Sequence, residues 1–262
     1  MTPRRDVMAR FEAFLAEVVH FAEAEPRVVG LVAFGSGAEP DRVDEWSDHD
    51  LALVTLPGHE DDFRHDLSWL PEAASIAAGA VEDHGGVQVI YDDGRVVELG
   101  FATCASLRGW LGNAMRVLVD KGGVADAVAA IAPRAGLPDD ARDARVLCAR
   151  LLVGVGRARR GEVLSAGHVV RAEALGLLLG LLAQRLPGDE RLDSLDPRRR
   201  VEQVHPELAA RLAAAVRLDP EPAAREILEV VEEHLAPGWP DFPHRAVGAV
   251  RRRLGWGPLP PR

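Results

Sequence analysis

Cysteine is nearly missing from this chain: Cys104 and Cys148 are the two among 262 residues. Two lone thiols supply neither a disulfide framework nor a zinc motif, so both read as reduced core residues of a cytoplasmic protein. Lysine is scarcer still. Lys121 is the sole lysine among 31 basic residues, a bias of coding more than of function. Positive charge as a whole falls short, with a net charge of −10 and a pI near 5.4. No nucleic-acid partner is expected, because such binders carry a basic stripe. Long apolar runs are also lacking. A membrane span needs roughly 18 such residues, and Ala174–Ala183 is too short. The charged stretch Met1–Arg10 has no apolar core of the kind a signal peptide requires. No membrane association is expected.

What remains is ordinary globular composition, 47% hydrophobic and 27% charged. The length suits one large domain or two modest ones. An acidic surface favours solubility, and it also concentrates cations near any cleft, which fits a cationic small substrate. The stretch Pro133–Asp140 (P-R-A-G-L-P-D-D) is rich in helix and strand breakers and divides the chain into residues 1–135 and 136–262. Before it, Asp6–Glu23 has helical apolar spacing, Gly58–His65 reads as an acidic loop, and Leu67–Ala80 reads as a helix. Beyond it the periodicity is helical: Ala141–Arg160, Ser165–Leu186, Pro206–Leu218, Pro222–Leu235 and His244–Leu254. His168 and His205 lack the spacing of a metal-ligand pair, and no role is assigned to them.

The stretch Val28–Thr55 (V-V-G-L-V-A-F-G-S-G-A-E-P-D-R-V-D-E-W-S-D-H-D-L-A-L-V-T) is the centre of the chain. Val28–Phe34 and Leu51–Thr55 are short apolar runs bounded by turn formers, which marks two strands joined by a polar loop. Side chains alternate along a strand, so Asp48 and Asp50 project together while His49 points away. Adjacent carboxylates repel unless a cation joins them. Hard oxygen ligands beside an open site suit Mg²⁺ carried in with substrate phosphates. Gly35 lets the backbone approach a ligand, and Ser36 offers a hydroxyl and an N–H to a phosphate oxygen. An Asp-x-Asp alone is also a common solvated feature. The ordered series of strand, Gly-Ser, loop, Asp-x-Asp and strand is more specific.

Val87–Tyr91, the turn Asp92-Asp93-Gly94 and Val96–Ala102 predict a hairpin. In its second strand Glu98 is a lone carboxylate among apolar residues. Burying it unpaired costs several kcal/mol, so water, an arginine or a metal must face it. Arg116–Val119 predicts a further strand, followed by a turn in which Lys121 could reach a phosphate.

These motifs resemble the nucleotidyltransferase superfamily that includes DNA polymerase β and the antibiotic nucleotidyltransferases. Its pattern is Gly-Ser, about ten residues, then Asp-x-Asp. His49 stands where that family usually has an apolar residue. The region after residue 135 resembles, more loosely, the helical C-terminal domain of aminoglycoside and lincosamide nucleotidyltransferases, in Gly156–Ala166 and Leu195–Leu208. The resemblance implies an α+β fold: a mixed β-sheet flanked by helices, then an all-α bundle. It implies two Mg²⁺ ions held by Asp48 and Asp50, with Glu98 as third ligand, general base or both. ATP or another nucleoside triphosphate would be co-substrate, positioned by Gly35 and Ser36, with Lys121, Arg157 and Arg160 as further nucleotide contacts. Glu162 would meet the acceptor. The implied activity is transfer of a nucleoside monophosphate to a hydroxyl of a small molecule, aminoglycoside-like and cationic, by a monomer or homodimer. A protein or RNA hydroxyl as acceptor, or a non-catalytic antitoxin-like nucleotide-binding module, are the other readings.

Overall fold

The computed structural model describes residues 4–132, 139–188, 193 and 195–257. The chain divides into two compact units, Met1–Ala135 and Gly136–Arg262, each with an apolar core. Residues 133–138, most of the breaker-rich stretch, lie outside the described residues.

The first unit opens with helix α1 (Arg4–Ala24), whose buried residues Phe11, Phe14, Leu15, Val18 and Ala22 follow helical spacing and form one apolar stripe. Among the described residues six strands form one mixed sheet: β1 (Val28–Phe34), β2 (His49–Thr55), β3 (Ile76–Val81), β4 (Val87–Tyr91), β5 (Val96–Ala102) and β6 (Met115–Asp120). Their order is β3-β4-β5-β2-β1-β6, and only β2 and β5 run parallel. The central strands β1 and β2 are covered on both faces, which explains their nearly continuous apolar sequence. One face, with Leu31, Leu51, Leu53, Val97 and Leu99, packs on α1. The other, with Val32, Ala52 and Val54, packs on Leu107 of α4 (Cys104–Leu107) and on Val124 and Ala127 of α5 (Val124–Ala129). This alternation places Asp50 on the α4–α5 face and His49 on the α1 face.

Three local readings differ from the sequence expectation. Leu67–Ala80 is not a helix: Pro71 interrupts it, and Ile76–Val81 becomes edge strand β3 paired with β4. Strand pairing outweighs alanine's helix preference there, and the Tyr91 hydroxyl fixes the preceding turn by donating to Pro71 O at 2.8 Å. The acidic stretch contains a short helix, α3 (Glu60–His65). Its three acids occupy the first turn, where the helix dipole favours negative charge, and Phe63 anchors it in the core. Finally, Gly35–Ala38 forms a single helical turn, α2, instead of open loop.

The second unit is helical, with α6 (Asp140–Arg159), α7 (Val163–His168), α8 (Leu175–Arg185), α9 (Val201–Val204), α10 (Pro206–Ala215), α11 (Pro220–His234) and α12 (His244–Leu254). Asp139 caps α6 by accepting from Arg142 N–H at 2.8 Å. Pro206 and Pro220 open their helices, where a missing N–H costs nothing. A π-helical segment, Val169–Ala174, joins α7 to α8, so Val163–Arg185 is one 23-residue helix. The sequence predicts most of this helix as Ser165–Leu186 but no apolar run long enough to span a membrane, because Arg171 and Glu173 interrupt the apolar stretch. By length and composition this helix could cross a membrane, at a mean hydropathy of 1.4 in its most apolar window, of which 44% is buried inside the protein. Its buried side chains, among them Val170, Ala174, Leu178 and Leu181, belong to the unit's core with Leu147, Leu151 and Ile227.

Two glycines in these helices should respond oppositely to alanine. A Cβ on Gly154 would stand 2.6 Å from Val170 Cγ2, a branched side chain in a packed core, whereas nothing lies within 4 Å of one on Gly180. Gly180→Ala should gain most of the roughly 1 kcal/mol helix preference. Gly154→Ala should lose about 1–3 kcal/mol to overpacking despite that preference. Urea unfolding of the two variants measures both signs.

Candidate active site

The site forms where β2 begins and β5 runs beside it. The parallel register sets Asp50 directly beside Glu98 and His49 beside Val97. Asp48 precedes the strand on the same side as Asp50. Asp48, Asp50 and Glu98, all partly buried, each offer a carboxylate oxygen within 4.8 Å of the others. The Gln88 amide, from the neighbouring strand β4, donates to Glu98 Oε1 at 3.0 Å and orients that carboxylate. Clustered hard oxygen donors of this kind are the chemistry that Mg²⁺ or Mn²⁺ takes.

Gly35 and Ser36 lie against this cluster, in a manner the sequence showed only in part. Gly35 has φ of +53°, and a Cβ there would stand 2.7 Å from Asp50 Oδ2. Glycine is therefore required for the carboxylate to lie where it does. The Gly35 N–H donates to Ala114 O at 3.2 Å, just ahead of β6. The Ser36 hydroxyl donates to Asp48 O at 3.4 Å and ties α2 to the start of β2.

His49 packs beneath the carboxylates at 3% exposure. Its ring stacks on Phe11 with centroids 4.0 Å apart and lies 4.4 Å from Phe14. Nε2–H donates to Phe11 O at 3.3 Å, and Nδ1 has no partner among the described residues. Burial pushes its pKa down to about 4, with the Phe11 hydrogen bond opposing and Arg95 adding a little. A neutral imidazole thus fills the place of an apolar residue.

Lys121 is not brought to the carboxylates by the structure. It follows β6 at the end of the sheet where β1 starts, with Gly30 opposite Asp120, whereas Gly35 follows the other end of β1. Its ammonium donates to the carbonyls of Ala22, Glu23 and Glu25 at 2.8, 3.3 and 2.8 Å, closing the C-terminus of α1. The ammonium expected to reach a phosphate is engaged in this helix cap. Arg157, Arg160 and Glu162 sit in and around the α6–α7 turn of the second unit. Arg157 Nη1 donates to Ser165 Oγ at 2.6 Å, and Arg160 Nε to Glu162 Oε1 at 2.8 Å. Cys148 is buried, which raises its thiol pKa to about 11, and Cys104 is half-buried.

A cavity of about 580 Å³ adjoins the carboxylates. Asp50 and Glu98 line it, Phe34, Trp110 and Leu111 supply an apolar side, and the β3–β4 turn brings Glu82 and His84. Trp110 bears on the bare backbone of Gly100, where a Cβ would stand 2.3 Å from Cη2. Neither Trp110 nor Glu82 was singled out from sequence. The isolated Gly100 within an apolar strand was the available signal, since such glycines mark a close approach.

No known protein-family description matches the chain, and no curated protein does. Among solved structures, an aminoglycoside 6-adenyltransferase from Bacillus subtilis matches at 13% identity, covering 93% of this chain and 97% of that one, with a TM-score of 0.33. Superposition this loose identifies no shared site.

The His49 environment sets a pH dependence of folding. The unfolded chain protonates this histidine near 6.5 and the folded chain near 4, so the unfolded state takes up the extra proton between those values. Stability should be level with respect to His49 above about pH 6.5 and fall by up to about 3 kcal/mol as pH drops to about 4. His49→Leu should flatten that component. Urea unfolding of both proteins at several pH values checks it; equal pH slopes would contradict the neutral buried imidazole.

Proposed function

We propose that the first unit is a nucleotidyltransferase domain, moving a nucleoside monophosphate from a nucleoside triphosphate to a hydroxyl of a small, cationic acceptor. The observation that carries this reading is the convergence of Asp48, Asp50 and Glu98 within 4.8 Å beside a cavity. Three carboxylates so close repel one another and favour a bound cation. Their oxygen donors fit Mg²⁺, and Gly35 leaves the space that a side chain would fill to the Asp50 carboxylate.

Asp48, Asp50 and Glu98 would hold the ion. When bound, Mg²⁺ supplies charge stabilisation to the oxygens entering and leaving the phosphorus in an in-line displacement. In that reaction the acceptor oxygen bonds to the α-phosphorus, the bond to the bridging oxygen breaks, and pyrophosphate leaves. Glu98, oriented by Gln88, would accept the acceptor's hydroxyl proton or help hold the ion. His49 keeps the Asp48–Asp50 turn seated on α1. Gly35 and Ser36 hold the carboxylates' surroundings in place, so that positioning and electrostatics do most of the catalytic work. ATP as donor and an aminoglycoside-like acceptor are the finer parts of the proposal. They are supported by the resemblance of the motifs and by the acidic cavity lining.

Mass spectrometry of reactions with Mg²⁺, each nucleoside triphosphate and a panel of aminoglycosides and lincosamides tests this. The expected result is a nucleoside-monophosphate adduct with pyrophosphate release. Asp48→Ala and Asp50→Asn should lower turnover by at least about 10²-fold while the fold is retained, with an unfolding midpoint no lower than wild type because like-charge repulsion is relieved. Wild-type turnover in either variant, or nucleotide binding with no pyrophosphate release, would sink the catalytic reading.

A further inference from the structure

The cavity beside the carboxylates has a second acidic end and an aromatic side that metal binding does not require. Glu82 lies in the turn between β3 and β4, where the chain is fixed three times over. Its N–H donates to Gly86 O at 2.8 Å, Gly85 N–H donates to Glu82 O at 2.8 Å, and Arg64 Nε donates to Gly85 O at 2.9 Å. Gly85 takes φ of +88°, which glycine accepts without strain. The His84 ring covers Gly86 and stands 3.5 Å from the Glu82 carboxylate. A rigid turn therefore presents a carboxylate into the cavity at 38% side-chain exposure.

The lining charges distinguish what enters. Asp50, Glu82 and Glu98 are acidic, and Arg64 is the one lysine or arginine among the lining residues. Arg64 is already engaged, by Asp61, by Gly85 O and by the Phe101 ring 5.5 Å from its guanidinium. An anionic phosphate chain gains little at the Glu82 end; an ammonium group gains most there. Trp110, held on Gly100, lines the same cavity and supplies an indole ring to it. Indole faces receive the C–H faces of saturated rings and attract cations.

We propose that Glu82 and Trp110 are specificity-determining residues that seat an amine-bearing, hydroxylated ring in this cavity. Trp110 packs against the ring, Glu82 pairs with its ammonium, and a hydroxyl is directed toward Glu98. This rests on the nucleotidyltransferase reading for its chemical consequence, while the seat itself is measurable by binding alone.

Calorimetric titration of the full chain with kanamycin A, an amine-bearing hydroxylated probe, tests it, with Mg²⁺–ATP titrated separately. The wild type should bind kanamycin more weakly as salt rises. Glu82→Gln, which keeps the side chain's shape, should raise the Kd about tenfold and reduce the salt dependence. Trp110→Ala should also weaken kanamycin, and Trp110→Phe should restore part of the loss. Neither Glu82→Gln nor Trp110→Phe should change the affinity for Mg²⁺–ATP. Failure of kanamycin to bind, equal affinity in Glu82→Gln, or loss of ATP affinity in place of kanamycin affinity would each overturn the assignment. Pyrophosphate release is read separately: its absence with the kanamycin pattern intact refutes nucleotidyl transfer and leaves the ammonium seat supported.

Discussion

The parallel pairing of β2 with β5 is the constraint on which the site depends. It places Asp50 and Glu98 in register on one face of the sheet, and the turn into β2 adds Asp48. Each pair of these carboxylates at such distances repels by about 1–3 kcal/mol where water screens them. A sheet does not gather like charges unless its packing elsewhere outweighs their repulsion. Here it does: β1 and β2 are buried on both faces, and α1 closes one side from Phe11 to Ala22. The core holds the strands, and the strands hold the acids together.

The same packing explains the surroundings of the cluster. Gly35 exists because Asp50 Oδ2 occupies the space where a side chain would be. Gly100 exists because Trp110 does the same one strand away. His49, between two acids in sequence, is buried on the opposite face as a neutral ring stacked on Phe11. Each is a local departure from ordinary strand chemistry; His49 and Gly100 lie within two residues of a carboxylate in sequence, and Gly35 lies against Asp50 in space. Departures from local preference concentrate where function constrains the chain.

Much of this was legible in the residues themselves. Two-residue alternation separated His49 from Asp48 and Asp50, and the Asp92-Asp93-Gly94 turn positioned Glu98 on a returning strand. What was not legible depends on contacts remote in sequence. β3 carries alanines and a glycine without alternation, so only its partner β4 makes it a strand. Lys121 met three carbonyls about a hundred residues earlier in the chain, where spacing gives no hint. Glu82 and Trp110 share a cavity because β3, β4 and β5 fold side by side, and no linear motif joins them.

The central claim is that Asp48, Asp50 and Glu98 act together as a divalent-cation site. Electron paramagnetic resonance of Mn²⁺ titrated into the nucleotide-free protein tests it most directly, with Asp50→Asn and Glu98→Gln measured beside the wild type. The account predicts saturable Mn²⁺ binding, displaced by Mg²⁺, that is lost in Asp50→Asn and weakened in Glu98→Gln. Equal Mn²⁺ affinity in all three proteins would contradict it and leave the cluster as a solvated acidic edge.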